Sequence, residues 1–271
     1  MARKKKSNFQ KTMAKFNKSA GNFLNRTDIM STLLIVNMLL IGGIIVMNLG
    51  MSESVNTQKS ADWQMVNGPT ANAFIMSYCP YGLQFLKAYV PVIELLGDKA
   101  NVMVNFVSYI MHGEKEIIEN NRMYCIQYEQ NDKFADYLRC FVEADDATGC
   151  LASVGVDTSA LDMCMTNLDS EFGISDLFND QSTWSGGRYP QYPVEASMNA
   201  QYGVGGSPTF ILDGQQVQVN RASESIKQAI CNAFDVEPEE CSTTLSSAAE
   251  QPSFGPIGSG QGAVAADASC E

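Results

Sequence analysis

The chain has 271 residues, eight of them cysteine, and a net charge of −12 at neutral pH. That length accommodates one sizeable domain with appendages. The charge is unevenly placed. The first 28 residues hold eight Lys/Arg and one acid, a local +7, and the remainder carries −19, which excludes nucleic acid as a partner of the acidic body because phosphates would be repelled.

After this basic head (1–28), residues Ile29 to Leu49 contain no charge, and a helix of that length spans roughly 30 Å, the thickness of a bilayer core. A transmembrane anchor over 29–50 is expected. The competing reading is a cleaved signal peptide. Against it stand the long basic region, an apolar run beyond the usual ~7–15 residues, and the lack of an A-x-A pattern. The positive-inside rule puts the N-terminus in the cytoplasm and the body on the periplasmic or extracellular face. The basic head either lies on anionic lipid or serves only as the topology signal. Residues 51–69 are polar and read as a linker. All eight cysteines follow the apolar segment, as expected for disulfides in an exported body. Zinc is the alternative use, but no C-x2-C pair occurs and there is one histidine, so neither a metal nor a cofactor is implied.

The body begins with a short apolar run, Ala71 to Ser77, which reads as a buried strand. Tyr78-Cys79-Pro80-Tyr81-Gly82 follows, and then Leu83 to Leu96 carries apolar residues at helical spacing, with Pro91 expected to kink the helix. Cys79 therefore stands where a strand hands over to a helix. There, unpaired backbone N–H groups and the positive end of the helix dipole stabilise a thiolate, the reactive form of the side chain. The bland alternative is a buried, inert cysteine. A thioredoxin-type redox site reads C-x-x-C; here Gly82 stands in the second cysteine's position. Asn101 to Val107 reads as a second strand, parallel to the first through a right-handed βαβ unit.

From Gly113 to about Gln201 the pattern turns helical, an insertion (about 114–201) too long to be a loop. Its cysteines, Cys125, Cys140, Cys150 and Cys164, can form two disulfides in three ways, each typically contributing ~2–4 kcal/mol. The single histidine, His112, sits just before it and reads as holding the turn ahead of Gly113, with proton transfer as the alternative. Ser207-Pro208 then opens an apolar strand that meets Asp213-Gly214, a strong hairpin signal. Ser223 to Phe234 reads as a closing helix, and Cys231 and Cys241 can pair locally. Residues 242–271 read from composition as a disordered tail. It ends in Cys270. If the other six cysteines pair among themselves, Cys79 and Cys270 are left over, and a flexible linker of this length has a reach of roughly 30 Å, enough for the tail to visit Cys79.

The strand–Cys–helix unit, the Ser-Pro dipeptide and the hairpin–helix together indicate a thioredoxin-like α/β fold over residues 70–241. Ile110-Met111-His112-Gly113, Glu116-Ile117, Asn120 and Cys125 also stand in the frame of the signature of the gamma-interferon-inducible lysosomal thiol reductases. Both earlier cysteines of that signature are replaced, by Ile110 and Ile117. More loosely, the chain resembles bacterial disulfide-bond oxidoreductases of the DsbA type. These resemblances imply reduction or exchange of protein disulfides, with Cys79 as nucleophile and Pro208 as a cis-proline facing it. Substrate segments would lie against Tyr78, Pro80, Tyr81, Ser207 and Pro208.

The expected function is that of a membrane-anchored, extracytoplasmic thiol–disulfide oxidoreductase or isomerase with a single nucleophilic cysteine in a C-P-Y-G motif. Its partners are cysteine-containing exported proteins and a thiol that recycles Cys79. The alternative is a redox-silent thioredoxin-fold module that binds exported proteins.

Overall fold

The computed structural model describes residues 65–260 and 269–270. The basic head, the anchor expected over 29–50 and nearly all of the linker lie outside the described residues. Among the described residues, no helix is long and apolar enough to cross a membrane.

Four strands form one sheet in the order β2-β1-β3-β4. Strand β1 (Thr70–Ile75) is its central element and is buried from Ala71 onward. Strand β2 (Asn101–Phe106) is buried at all six positions, which is why both read as apolar runs rather than alternating ones. The two run parallel, in register from Thr70 opposite Asn101 to Ile75 opposite Phe106. The connection is helix α1 (Pro80–Leu96). This helix runs on through Pro91, so the proline, which removes one internal hydrogen bond, does not end it. Strand β3 (Thr209–Leu212) pairs antiparallel with β1. The turn into β4 (Gln215–Gln216) uses Asp213 and Gly214, both at positive φ (46° and 78°), the backbone twist that a two-residue hairpin needs. A parallel βαβ unit, an antiparallel hairpin and a closing helix on the α1 side constitute a thioredoxin-like fold.

Between β2 and β3 the chain is helical, as its composition indicated. Helices α2 (Glu114–Glu129), α3 (Asn131–Ala144), α4 (Ala147–Val154), α5 (Thr158–Phe172), α6 (Ile174–Asn179) and α7 (Ala196–Tyr202) occupy this region. Their apolar faces differ in width. Helix α3 buries Phe134, Tyr137, Leu138, Phe141 and Val142, whereas α4 buries only Cys150 and α5 only Leu161, Cys164 and Leu168. Disulfides hold the thin-faced helices: Cys140–Cys150 ties α4 to α3, and Cys125–Cys164 ties α5 to α2. The third bridge, Cys231–Cys241, closes a short loop after α8 (Ser223–Cys231).

The expectation of a disordered tail from residue 242 is overturned for residues 242–260, which pack across α1 and α3. The Ser253 N–H donates to the Pro80 carbonyl at 2.9 Å, the Gly255 N–H to Val142 O at 3.0 Å, and Gln84 Nε2 to Glu250 O at 2.6 Å. Ala249 and Glu250 are almost fully buried. The Ser/Ala/Gly composition concealed this because the segment is held largely by its backbone, through hydrogen bonds that any side chain permits.

One buried carboxylate gives the fold a pH dependence. Glu195, just ahead of α7, accepts from Asn105 Nδ2 at 2.6 Å and from the Phe106 N–H at 2.5 Å. Burial pushes its pKa up to about 7, with these two hydrogen bonds opposing the rise. The folded state therefore binds more protons than the unfolded state between about pH 4.5 and 7, and stability falls as pH rises through that window. A shift of this size amounts to on the order of 3 kcal/mol above pH 7. The Glu195→Gln variant should show a flatter profile, with its advantage over wild type growing from pH 5 to pH 8 in urea denaturation. A stability difference independent of pH would contradict the assignment.

Candidate active site

Cys79 is the N-cap of α1, with Pro80 following at the first helical position, where a missing N–H is harmless. Its Sγ accepts from the Gly82 N–H at 3.4 Å, and its carbonyl accepts from Leu83 N at 2.8 Å. The strand-to-helix junction expected from the sequence is thus present, with the sulfur at the helix start. The preceding turn is fixed from the insertion: Ser77 N–H donates to Asn120 Oδ1 at 3.3 Å, and Ser77 Oγ to the Glu116 carbonyl at 3.4 Å.

Facing Cys79 is the Ser207–Pro208 peptide, which is cis. The Ser207 carbonyl oxygen lies 3.5 Å from Cys79 Sγ, and Ser207 Oγ accepts from the Met76 N–H at 2.8 Å. Gly82 meets the same hydroxyl: a Cβ added there would stand 2.6 Å from Ser207 Oγ and 2.9 Å from Met76 O. The space a second cysteine of the motif would need is therefore occupied by Ser207.

The lone-sulfur expectation does not hold. Cys79 is bonded to Cys270, and no described cysteine is free. The partner is the tail cysteine, not one from the helical insertion. Cys270 is also held by its backbone, in an antiparallel bridge to Ser207: Ser207 N–H donates to Cys270 O at 3.0 Å, and Cys270 N–H to Ser207 O at 2.8 Å. Cys79 itself has no exposed surface, whereas Cys270 is partly exposed. Around the bridge, Phe74, Met76, Val107 and Ile211 form a buried apolar floor, and Tyr81, Tyr109, Met111, Met198, Tyr202 and Val204 form a half-buried rim.

Of the residues expected to touch substrate, Tyr81, Ser207 and Pro208 surround the bridge or its strand edge. Tyr78 does not. It turns the other way, packing edge-on against Phe141 and Phe254 with ring centroids 5.7 Å apart in each case, and Lys115 Nζ sits 4.0 Å from its ring centroid. Burial raises its pKa, Glu119 and Asp145 adding to the effect and Arg122 opposing it, so it anchors the tail and insertion as a neutral phenol. Pro80 contributes its carbonyl to Ser253. His112 pairs with Glu116 in the turn ahead of Gly113, and Glu116 Oε1 accepts from Met111 N at 3.1 Å. The rim residues that the sequence left unassigned are Tyr109, after β2, and Met198, Tyr202 and Val204 on α7 and the loop after it. They carry no motif.

No protein-family model and no curated protein matches the chain. Solved structures do: DsbA from Mycobacterium tuberculosis in its oxidised form, 12% identical over 64% of this chain and 86% of that one, TM-score 0.44; MdbA, a thiol-disulfide oxidoreductase from Actinomyces oris, 13% identical over 62% and 83%, TM-score 0.42; and BdbD from Bacillus subtilis, oxidised, 20% identical over 60% and 85%, TM-score 0.38. The narrower resemblance to the gamma-interferon-inducible lysosomal thiol reductases finds no support there. In that frame, Ile110 and Ile117 are core residues, 1% and 7% exposed.

Proposed function

We propose that the protein is a thiol–disulfide oxidoreductase for cysteine-containing exported polypeptides, held at the outer side of a membrane by the apolar segment 29–50. Its redox couple is the Cys79–Cys270 pair rather than a single thiol. The observation that carries this reading is the disulfide between a helix-capping cysteine and a strand-paired tail cysteine beside Pro208. A staple serving stability alone would have no reason to end at a helix N-terminus, where the departing sulfur is stabilised as thiolate. In the reduced protein, the Cys79 thiolate attacks a substrate disulfide, and one substrate sulfur leaves with the bonding electrons. The Cys270 thiolate then attacks Cys79 Sγ, releasing the second substrate sulfur and closing the bridge. The substrate gains two electrons and the protein loses two. The rim of Tyr81, Tyr109 and Tyr202 favours cysteines flanked by apolar residues, and the Ser207 backbone would pair with an extended segment.

The test compares the reduced full-length protein with Cys79→Ser in exchange with a disulfide-bonded peptide. Cys79→Ser should be slower by at least about a hundredfold, the scale expected on losing a nucleophile. Equal rates would refute the reading. Deletion of 29–50 should move the protein from membranes into the soluble fraction.

A further inference from the structure

The oxidised site is closed in an unusual sense. Cys79 has no exposed surface, and both backbone hydrogen-bonding groups of Ser207 are engaged by Cys270. An incoming polypeptide thiol can neither reach Cys79 nor pair with the strand edge while the tail is in place. The partly exposed sulfur-bearing residue is Cys270. Exchange also depends on which sulfur leaves, the lower-pKa thiol departing faster. Attack on Cys270 expels Cys79, whose sulfur already meets the Gly82 N–H at the helix start. Attack on Cys79 would instead expel Cys270, which has no helix behind it among the described residues. Access and leaving-group stabilisation point the same way.

Resting on the redox couple proposed above, we infer that the two cysteines divide the cycle: Cys79 meets substrate in the reduced protein, and Cys270 is the sulfur through which a dithiol partner reduces the oxidised protein. The tail is then both a relay to that partner and a tethered stand-in for substrate on the Ser207 edge. In the recycling step a partner thiolate bonds to Cys270 Sγ, the Cys79–Cys270 bond breaks, and Cys79 leaves as thiolate with the electron pair. The partner's second thiolate then attacks its own sulfur in the mixed disulfide and forms the partner's disulfide. Cys270 is released as thiolate. Two electrons pass to the protein, and the two protons of the partner thiols go to solvent or to the new thiolates. With the Cys79–Cys270 bond open, only two backbone hydrogen bonds hold the tail at Ser207, and an extended substrate segment can displace it from the edge.

The experiment uses oxidised full-length protein and glutathione, a monothiol without the second sulfur that would resolve the mixed disulfide from within, so that the adduct can be caught early. Samples are quenched in acid at early times and mapped by mass spectrometry. Glutathione is expected on Cys270 in at least about tenfold excess over Cys79, with Cys79 recovered as the free thiol. Glutathione on Cys79 with Cys270 released would overturn the inference, as would a bridge that stays closed with no adduct on either sulfur. The Cys270→Ser variant separates this from the underlying reading. Treated with glutathione disulfide, it should form a stable adduct at Cys79. If it does and the wild-type adduct is nevertheless on Cys79, only the division of labour fails. If Cys79 takes no adduct even without Cys270, the redox function itself fails.

Discussion

Replacing Cys125 and Cys164 together by alanine is expected to lower stability by about 4 kcal/mol, the value a chain-entropy estimate assigns to a loop of about 40 residues. The bridge joins residues 39 apart in sequence, longer than the spacing of 10 closed by Cys140–Cys150 or Cys231–Cys241. The native side argues the same way. Helix α5 offers the core only three buried residues, one of them Cys164 itself. Without the bridge, α5 would rest on Leu161 and Leu168, and each fully buried aliphatic side chain contributes only about 1.5–3 kcal/mol. The loss should therefore be local before it is global. Amide exchange in α5 and α6 should accelerate, while β1 and β2 keep their protection. An unfolding free energy from urea denaturation within about 1 kcal/mol of wild type, or uniform acceleration across the sheet, would contradict this account.

How far the sequence exposed this architecture depended on how local each signal was. The strand-to-helix handover at Cys79, the Asp213-Gly214 hairpin and the parallel βαβ unit all follow from short-range patterns: apolar runs, a helix start, a turn needing positive φ. They stand where those patterns put them. Two features were hidden for the same reason. The packing of residues 242–260 relies on backbone groups meeting Pro80, Gln84 and Val142, and composition does not register backbone contacts. The Cys79–Cys270 bond spans 191 residues; counting leftover cysteines makes it conceivable, but only the Ser207 edge gives it a seat. Tyr78 shows the opposite failure. Adjacency to a reactive cysteine suggested substrate contact, yet Tyr78 lies in the turn between the end of β1 at Ile75 and the start of α1, and its ring packs against Phe141 and Phe254, away from the bridge.

Restoring the two-cysteine motif by Gly82→Cys is expected to damage the protein rather than repair it. The new Cβ would lie 2.6 Å from Ser207 Oγ, 2.9 Å from Met76 O and 3.4 Å from Cys79 Cβ; the first two are closer than real Cβ atoms come. Helix α1 cannot withdraw, because Leu83, Leu86 and Val90 behind Gly82 are buried in the main core. Ser207 would have to yield, and its hydroxyl is the acceptor for the buried Met76 N–H. Leaving that donor unpaired costs about 1–3 kcal/mol, and overpacking typically adds about 1–3 kcal/mol, so a loss of about 3 kcal/mol is expected. Gly82→Ala should lose nearly as much, since the clash belongs to Cβ and not to the thiol. Gly82→Cys combined with Ser207→Ala removes the hydroxyl but keeps the orphaned N–H and the Met76 carbonyl contact, and should recover only part of the loss. Urea denaturation of the three variants, with disulfide mapping of the cysteine-bearing ones, decides the matter. A Gly82→Cys protein as stable as wild type would mean that sterics did not exclude the second cysteine. If the losses follow the predicted order, one hydroxyl beside the cis-proline accounts for glycine at position 82, so that the sulfur bonded to Cys79 comes from Cys270 and not from three residues further along α1.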